Sequence, residues 1–199
     1  MPIQIVDLGR NNQIDTSDDF LERQNGTIFF EHSNSHIIIG KNTNSDDVYL
    51  HCGANAAIHI GDHVRLAKAR LHIVAPTKAI VAEFSAFVGH ASVLAHEAAE
   101  ITFGHNCLIA DEVTVSVSDM HSVIDLETGA RTNPARPIMI GHRVWIGARS
   151  TVLKGTTIGD GSIIAAHSLV RGTFPSNVMA GGVPAKIIRS GVTWRTDLI

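Results

Sequence analysis

Residues 140–170 read IGHRVW IGARST VLKGTT IGDGSI IAAHSL V, with a branched aliphatic at Ile140, Ile146, Val152, Ile158, Ile164 and Val170. The spacing is six throughout, which is neither the helical period nor the strand alternation. It is the spacing of a parallel β-helix of hexapeptides, in which each unit makes one short strand and one corner. Three units close a triangular coil of about eighteen residues, and coils stack like paired strands about 4.8 Å apart. The aliphatic points inward onto the aliphatic of the coil below, where β-branched residues pack well. Each such burial contributes roughly 1.5–3 kcal/mol before entropy is set against it. A small residue follows most of the aliphatics (Gly141, Gly147, Gly159, Ala165). It is expected to turn the corner, where positive φ is often needed. Four places after the aliphatic stand Val144, Ser150, Thr156, Ser162 and Ser168, small enough for the interior beside it.

Upstream the same phase shows in fragments. Ile39-Gly40, Ile60-Gly61, Leu66-Ala67, Val88-Gly89, Leu94-Ala95, Phe103-Gly104 and Ile109-Ala110 carry the aliphatic-small step. Slips between them read as corners with extra residues. The expected organisation is one domain over residues 1–190, with an irregular segment at 1–37, an extruded loop at 119–137 and a tail at 191–199. The loop holds Glu-Thr-Gly, Thr-Asn-Pro and Ala-Arg-Pro, which are turn chemistry. A long loop in a compact repeat is usually functional or disordered, and this one carries a histidine and two arginines. Pro184 would open a short helix through Arg189 that caps the last coil.

The chain has 199 residues, a net charge of −3 and a pI near 6.4, which argues against nucleic acid as the main partner. Its two cysteines, Cys52 and Cys107, make no disulfide framework and fit a reducing compartment. Cys107 falls in a small inward slot and Cys52, among Leu50, His51 and Gly53, has no clear partner, so neither thiol is an expected nucleophile. The N-terminus has early acids and no apolar core, so no signal peptide is read there. No apolar run is long enough to span a bilayer. A cytoplasmic protein is expected.

HRVWIGARSTVLKGTTIGDGSIIAAHSLV, followed by AGGVPAKIIR, resembles the hexapeptide-repeat acyltransferases. SDMHSVIDLETGARTNP resembles the subgroup that O-acetylates bacterial capsule and lipopolysaccharide sugars. The close match covers about residues 103–190. The resemblance implies an all-β, left-handed parallel β-helix; general crossover rules favour the other hand. It implies an acetyl-CoA-dependent O-acetyltransferase of a bacterial surface polysaccharide or its sugar precursor, with no metal. It also implies a homotrimer with active sites between subunits, meeting acetyl-CoA and a saccharide acceptor.

His121 is the expected catalytic base. A sugar hydroxyl is a poor nucleophile while protonated, and histidine titrates near neutrality. The family's histidine acts by direct attack in a ternary complex. Asp119 would orient it or form an Asx turn; the remaining histidines are assigned structural places. Trp145 points outward beside Ile146, an odd place for an indole, and the resemblance makes it an apolar wall for substrate or pantetheine. Packing in a subunit interface is compatible with that role. By motif position Ala148 and Ala166 resemble backbone contacts to pantetheine. Arg171, Lys186 and Arg189 stand where the family places residues near the nucleotide end, and cations there suit phosphate. Arg171 departs from the small hydroxylic residue common there. Arg65, Lys68 and Arg70, with Arg131 and Arg136, would favour an anionic glycan if they are not simply a solvated face. The alternatives are a carbonic-anhydrase-like zinc β-helix enzyme, needing three convergent histidines, and a non-catalytic scaffold.

Overall fold

The computed structural model describes residues 2–16 and 19–199; of the stretch 1–37, positions 1, 17 and 18 lie outside the described residues. The chain winds into a parallel β-solenoid with three faces. The first carries eight strands, from Gln4–Asp7 to Leu169–Val170, and the second eight, from Gln13–Thr16 to Thr173–Phe174. The third carries six, beginning at Ala86–Phe87 and closing with Val178–Gly182 and Ala185–Ser190.

The inward ladders follow the six-residue period. Phe87, Ile109, Ile146, Ile164 and Ala180 stack on the third face. Val93, Val115, Val152 and Val170 do so on the first, and Val81, Phe103, Ile140, Ile158 and Phe174 on the second. All are buried. The serines at the fourth place do more than fit. Ser150 donates its hydroxyl to the Ala165 carbonyl (3.1 Å) and accepts from the Ser168 amide (3.3 Å). Ser162 does the same with Pro175 and Val178 (2.9 and 3.2 Å). Each hydroxyl ties one coil to the next and satisfies corner backbone that burial would otherwise penalise.

The corner glycines have a different role from the expected one. Positive φ falls three places after the aliphatic, at Arg143 (52°), Arg149 (60°), Gly155 (73°), Gly161 (68°) and His167 (57°). Gly141 and Gly147 are needed because the next coil passes too close for a side chain. A Cβ on Gly147 would lie 2.6 Å from the Ala166 nitrogen, and one on Gly141 2.3 Å from the Asp160 carboxylate.

Three further expectations change. The N-terminal segment is not irregular, because Gln4–Asp7, Gln13–Thr16 and Gly26–Phe30 already run in the solenoid. Its coils are longer: Thr27 pairs with Tyr49, Tyr49 with Arg70 and Ser92 with Thr114, advances of 21–22 residues, against 18 from Thr151 to Leu169. The extra length hides the period. For the same reason Phe87 and Val93 point inward, not Val88 and Leu94. Finally, residues 185–190 form a strand rather than a helix. Ala185–Ser190 is almost wholly exposed, with only Ala185 packed against the core. It gains hydrogen bonds by pairing antiparallel with Val178–Gly182, covering that strand edge.

Ile146→Ala is expected to lower stability by about 2–5 kcal/mol, the usual effect of opening a buried aliphatic site. Gly147→Ala is expected to cost about 1–3 kcal/mol by overpacking. Denaturant melts of the two variants check both.

Candidate active site

The loop leaves the corner between the first and second faces, after strand Val113–Ser116 and before strand Ile138–Ile140. The same corner is already wide in earlier coils, between Lys68–Ile73 and Lys78–Val81 and between His90–Ala95 and Ile101–Phe103. The loop doubles back on itself: Asp125 N–H donates to the Ala130 carbonyl (2.9 Å) and Thr132 N–H to that of Val123 (2.8 Å).

Charge-assisted bonds hold its foot. Arg131 clasps both Glu97 oxygens (2.6 and 2.8 Å), and the Ser118 hydroxyl donates to the same carboxylate. These contacts, Arg131 foremost, hold the Glu97 carboxyl down at about 2. Lys154 donates to Asp119 (2.5 Å) and to the Asn133 carbonyl (2.8 Å). Asn133 donates to Asp119 (2.7 Å) and to the His121 carbonyl (2.8 Å), and accepts from the Val123 amide (2.7 Å). Lys154, then Asn133, keeps the Asp119 carboxyl below its usual range. Asp119 therefore braces the backbone of His121 through Asn133, and its carboxylate is bonded to Lys154 and Asn133. The His121 side chain itself is exposed.

At the foot of the loop lies a cleft of about 320 Å³ walled by Asn133, Arg136, Lys154, Arg171 and Asp119, among others. Arg136 and Arg171 have no ion-pair partner among the described residues, and both are exposed. The other basic residues singled out in the sequence are largely neutralised. Arg131 is taken by Glu97, Arg65 pairs with Asp46 (3.0 Å) and Arg70 with Asp47 (2.6 Å).

Trp145 lies on the third face in strand Trp145–Ile146, 37% exposed. Ala148 and Ala166 follow that face's strands at stacked corners, where the His167 amide donates to the Ala148 carbonyl (2.9 Å). Lys186 and Arg189 stand exposed on the final strand of the same face, opposite Gly181 and Met179. The expected site residues thus fall into two groups. Trp145, Ala148, Ala166, Lys186 and Arg189 gather on or beside the third face. His121 and Arg171 sit at the first–second corner. His121 and Trp145 share no hydrogen bond or ring contact among the described residues.

Sequence reading did not find Glu97, Asn133 and Lys154, whose pairing depends on coils brought together by the fold. It also passed over Trp194 in the tail. That indole donates to the Arg143 carbonyl (2.6 Å), and its ring lies 6.2 Å from that of Trp145. Both cysteines are buried, and burial pushes the Cys52 thiol up to about 12 and Cys107 to about 11. Among the described residues no three His, Cys, Asp or Glu side chains converge as metal ligands. No helix there is long and apolar enough to cross a membrane.

Residues 137–172 match the family model described as bacterial transferase hexapeptide (six repeats). A putative lipopolysaccharide biosynthesis O-acetyl transferase, WbbJ of Escherichia coli K12, is 40% identical over 97 residues, 45% of this chain and 50% of that protein. A polysialic acid O-acetyltransferase of Escherichia coli O1:K1 is 36% identical over 98 residues, 49% of this chain and 32% of that one. The chain thus spans half or less of these relatives. The solved structure of the polySia-specific acetyltransferase NeuO superposes with a TM-score of 0.90 at 26% identity, covering 98% of this chain and 84% of that one. Residues 137–172 therefore carry a hexapeptide repeat of the bacterial transferase type, and the chain winds in a left-handed β-helix like that acetyltransferase structure.

Replacing Glu97 with Gln should release Arg131 and loosen the loop, so limited proteolysis should cut residues 120–134 several-fold faster while the solenoid's melting temperature barely moves. Because the Glu97 carboxyl is depressed in the fold, its clamp is fully present above the ordinary carboxylate range, near 4.5, and is lost as pH falls toward about 2. A carboxyl NMR titration of Glu97 should follow that low midpoint, and a midpoint near 4.5 would show that the clamp is absent.

Proposed function

We propose that the chain is an acetyl-CoA-dependent O-acetyltransferase that acetylates a hydroxyl of a bacterial surface saccharide or its precursor. The observation that carries this reading is the placement of an exposed histidine on a braced loop of a hexapeptide solenoid whose relatives are named O-acetyltransferases. His121 acts as general base. It takes the proton of the sugar hydroxyl as the oxygen attacks the thioester carbonyl, and returns it to the departing coenzyme A thiolate as the C–S bond breaks. No acyl-enzyme forms, in keeping with two buried thiols whose ionisation burial opposes.

The donor lies along the third face. Trp145 gives it an apolar wall, the backbone at Ala148 and Ala166 meets the pantetheine amides, and Lys186 and Arg189 face the nucleotide phosphates. Arg171 stands apart, beside Arg136 in the cleft under the loop. Two guanidiniums without partners there favour an acidic saccharide as acceptor.

Because His121 stands at the first–second corner and Trp145 on the third face, the working site is completed by a second copy in a homotrimer. The loop supports this with exposed Met120, Val123, Ile124 and Leu126 (99% exposed), an apolar tip that one copy leaves uncovered. The protein works in the bacterial cytoplasm.

Thiol release from acetyl-CoA, followed with a panel of bacterial polysaccharides and sugars, tests the reading. Acceptor-dependent release should fall about 10²–10⁴-fold in His121→Ala with the melting temperature unchanged, the contribution of one positioned base. Activity within about threefold of the parent would remove His121 from that role.

A further inference from the structure

The second–third corner is a ladder of residues held at positive φ: His63 (57°), Phe84 (59°), Asn106 (58°), Arg143 (52°), Gly161 (68°) and Asn177 (59°). Asparagine and glycine suit that conformation, but a bulky phenylalanine does not. Phe84 is nevertheless there, 55% exposed, its ring stacked at 4.9 Å and 4° on His63. The solenoid buries less than half of it, so a largely exposed aromatic platform is kept at the expense of backbone comfort.

Residues 191–197 lie along the same corner as a strap. Val192 N–H donates to the Asn177 carbonyl (3.0 Å), Trp194 bonds the Arg143 carbonyl, and the Arg143 guanidinium donates back to the Trp194 carbonyl (3.3 Å). Between strap and corner lies a cavity of about 460 Å³, walled by Phe84, Leu108 and Trp194 on the apolar side and by Asn106, Arg143 and Asp197 on the polar side. Aromatic faces beside the Asn106 amide and the guanidiniums of Arg143 and Arg195, the latter paired with Asp197 (2.6 Å), match a sugar, which offers C–H faces and paired hydroxyls. The size suits a small ligand site.

We propose that this strap pocket is a second saccharide-binding subsite, holding a distal part of an acidic acceptor chain with Phe84 and Trp194 as its platforms. The second face lies between this corner and the corner of the His121 loop, so one chain can reach both. The proposal rests on the acceptor being a saccharide, but its test needs no acetyl donor.

The chain has two tryptophans, so Trp145→Phe leaves Trp194 as the sole reporter. Titrating that variant with a sialic acid oligomer should shift Trp194 emission saturably. Adding Phe84→Asn, which suits positive φ and removes the platform, should weaken binding at least about tenfold with the melting temperature kept. Unchanged emission, or equal binding by the Phe84→Asn protein, would overturn the proposal. So would dissociation of the oligomer by Phe84→Asn, which would make the corner a contact between copies. If the parent protein, with Trp145 intact, shows no thiol release while the sialic acid oligomer still binds, the catalytic reading fails and the subsite stands.

Discussion

Everything in this molecule hangs on how closely one coil approaches the next. Parallel strands stack about 4.8 Å apart, so each inward position sees the same position above and below it. An aliphatic there buries against its own kind, as in the run Ile109, Ile146, Ile164 on the third face. At Gly147 the corner residue has to be glycine, because a Cβ there would sit 2.6 Å from the next coil. A buried corner hydroxyl must bridge coils, as Ser150 and Ser162 do. The repeat is the record of this one constraint.

A solenoid built this way has a rigid body and few places for chemistry. Its faces are flat, and its cysteines point inward where burial keeps them protonated. Function therefore gathers where the repeat is broken. The first–second corner is widened in coil after coil and finally extrudes the His121 loop. The third face ends in a returning strand with Lys186 and Arg189, and the tail then crosses to the second–third corner. The loop is not left free. Glu97, Arg131, Asn133, Asp119 and Lys154 form one connected set of ionic hydrogen bonds that sets where His121 leaves the backbone. Such bonds are stronger than neutral ones, and the base proposed here needs to be held within hydrogen-bond reach of its proton.

The late coils were legible because their turns are 18 residues long and keep the six-residue phase unbroken from Ile140 to Val170. The early coils were not, because a few extra residues at one corner shift the phase in each turn. Aliphatic-small pairs then misled by one place, selecting Val88 over Phe87 and Leu94 over Val93. The C-terminal helix was misjudged because AKIIR has good helix formers, whereas an unpaired strand edge decided its conformation. The sequence singles out His121 and Trp145, but not their separation, one at the first–second corner and the other on the third face. Nor could the ion pairs that consume Arg131, Arg65 and Arg70, since each partner comes from an earlier coil.

In the proposed assembly His121 of one copy serves Trp145 and the donor groove of another. Co-assembly of His121→Ala with Trp145→Ala chains tests this most directly. Each variant alone should release little thiol. If the site is shared between copies, mixed assemblies contain some sites with both residues intact, and activity should return to a sizeable fraction of the parent's. Mixed assemblies no more active than the two variants measured separately would contradict the account and place both residues in a site within one chain.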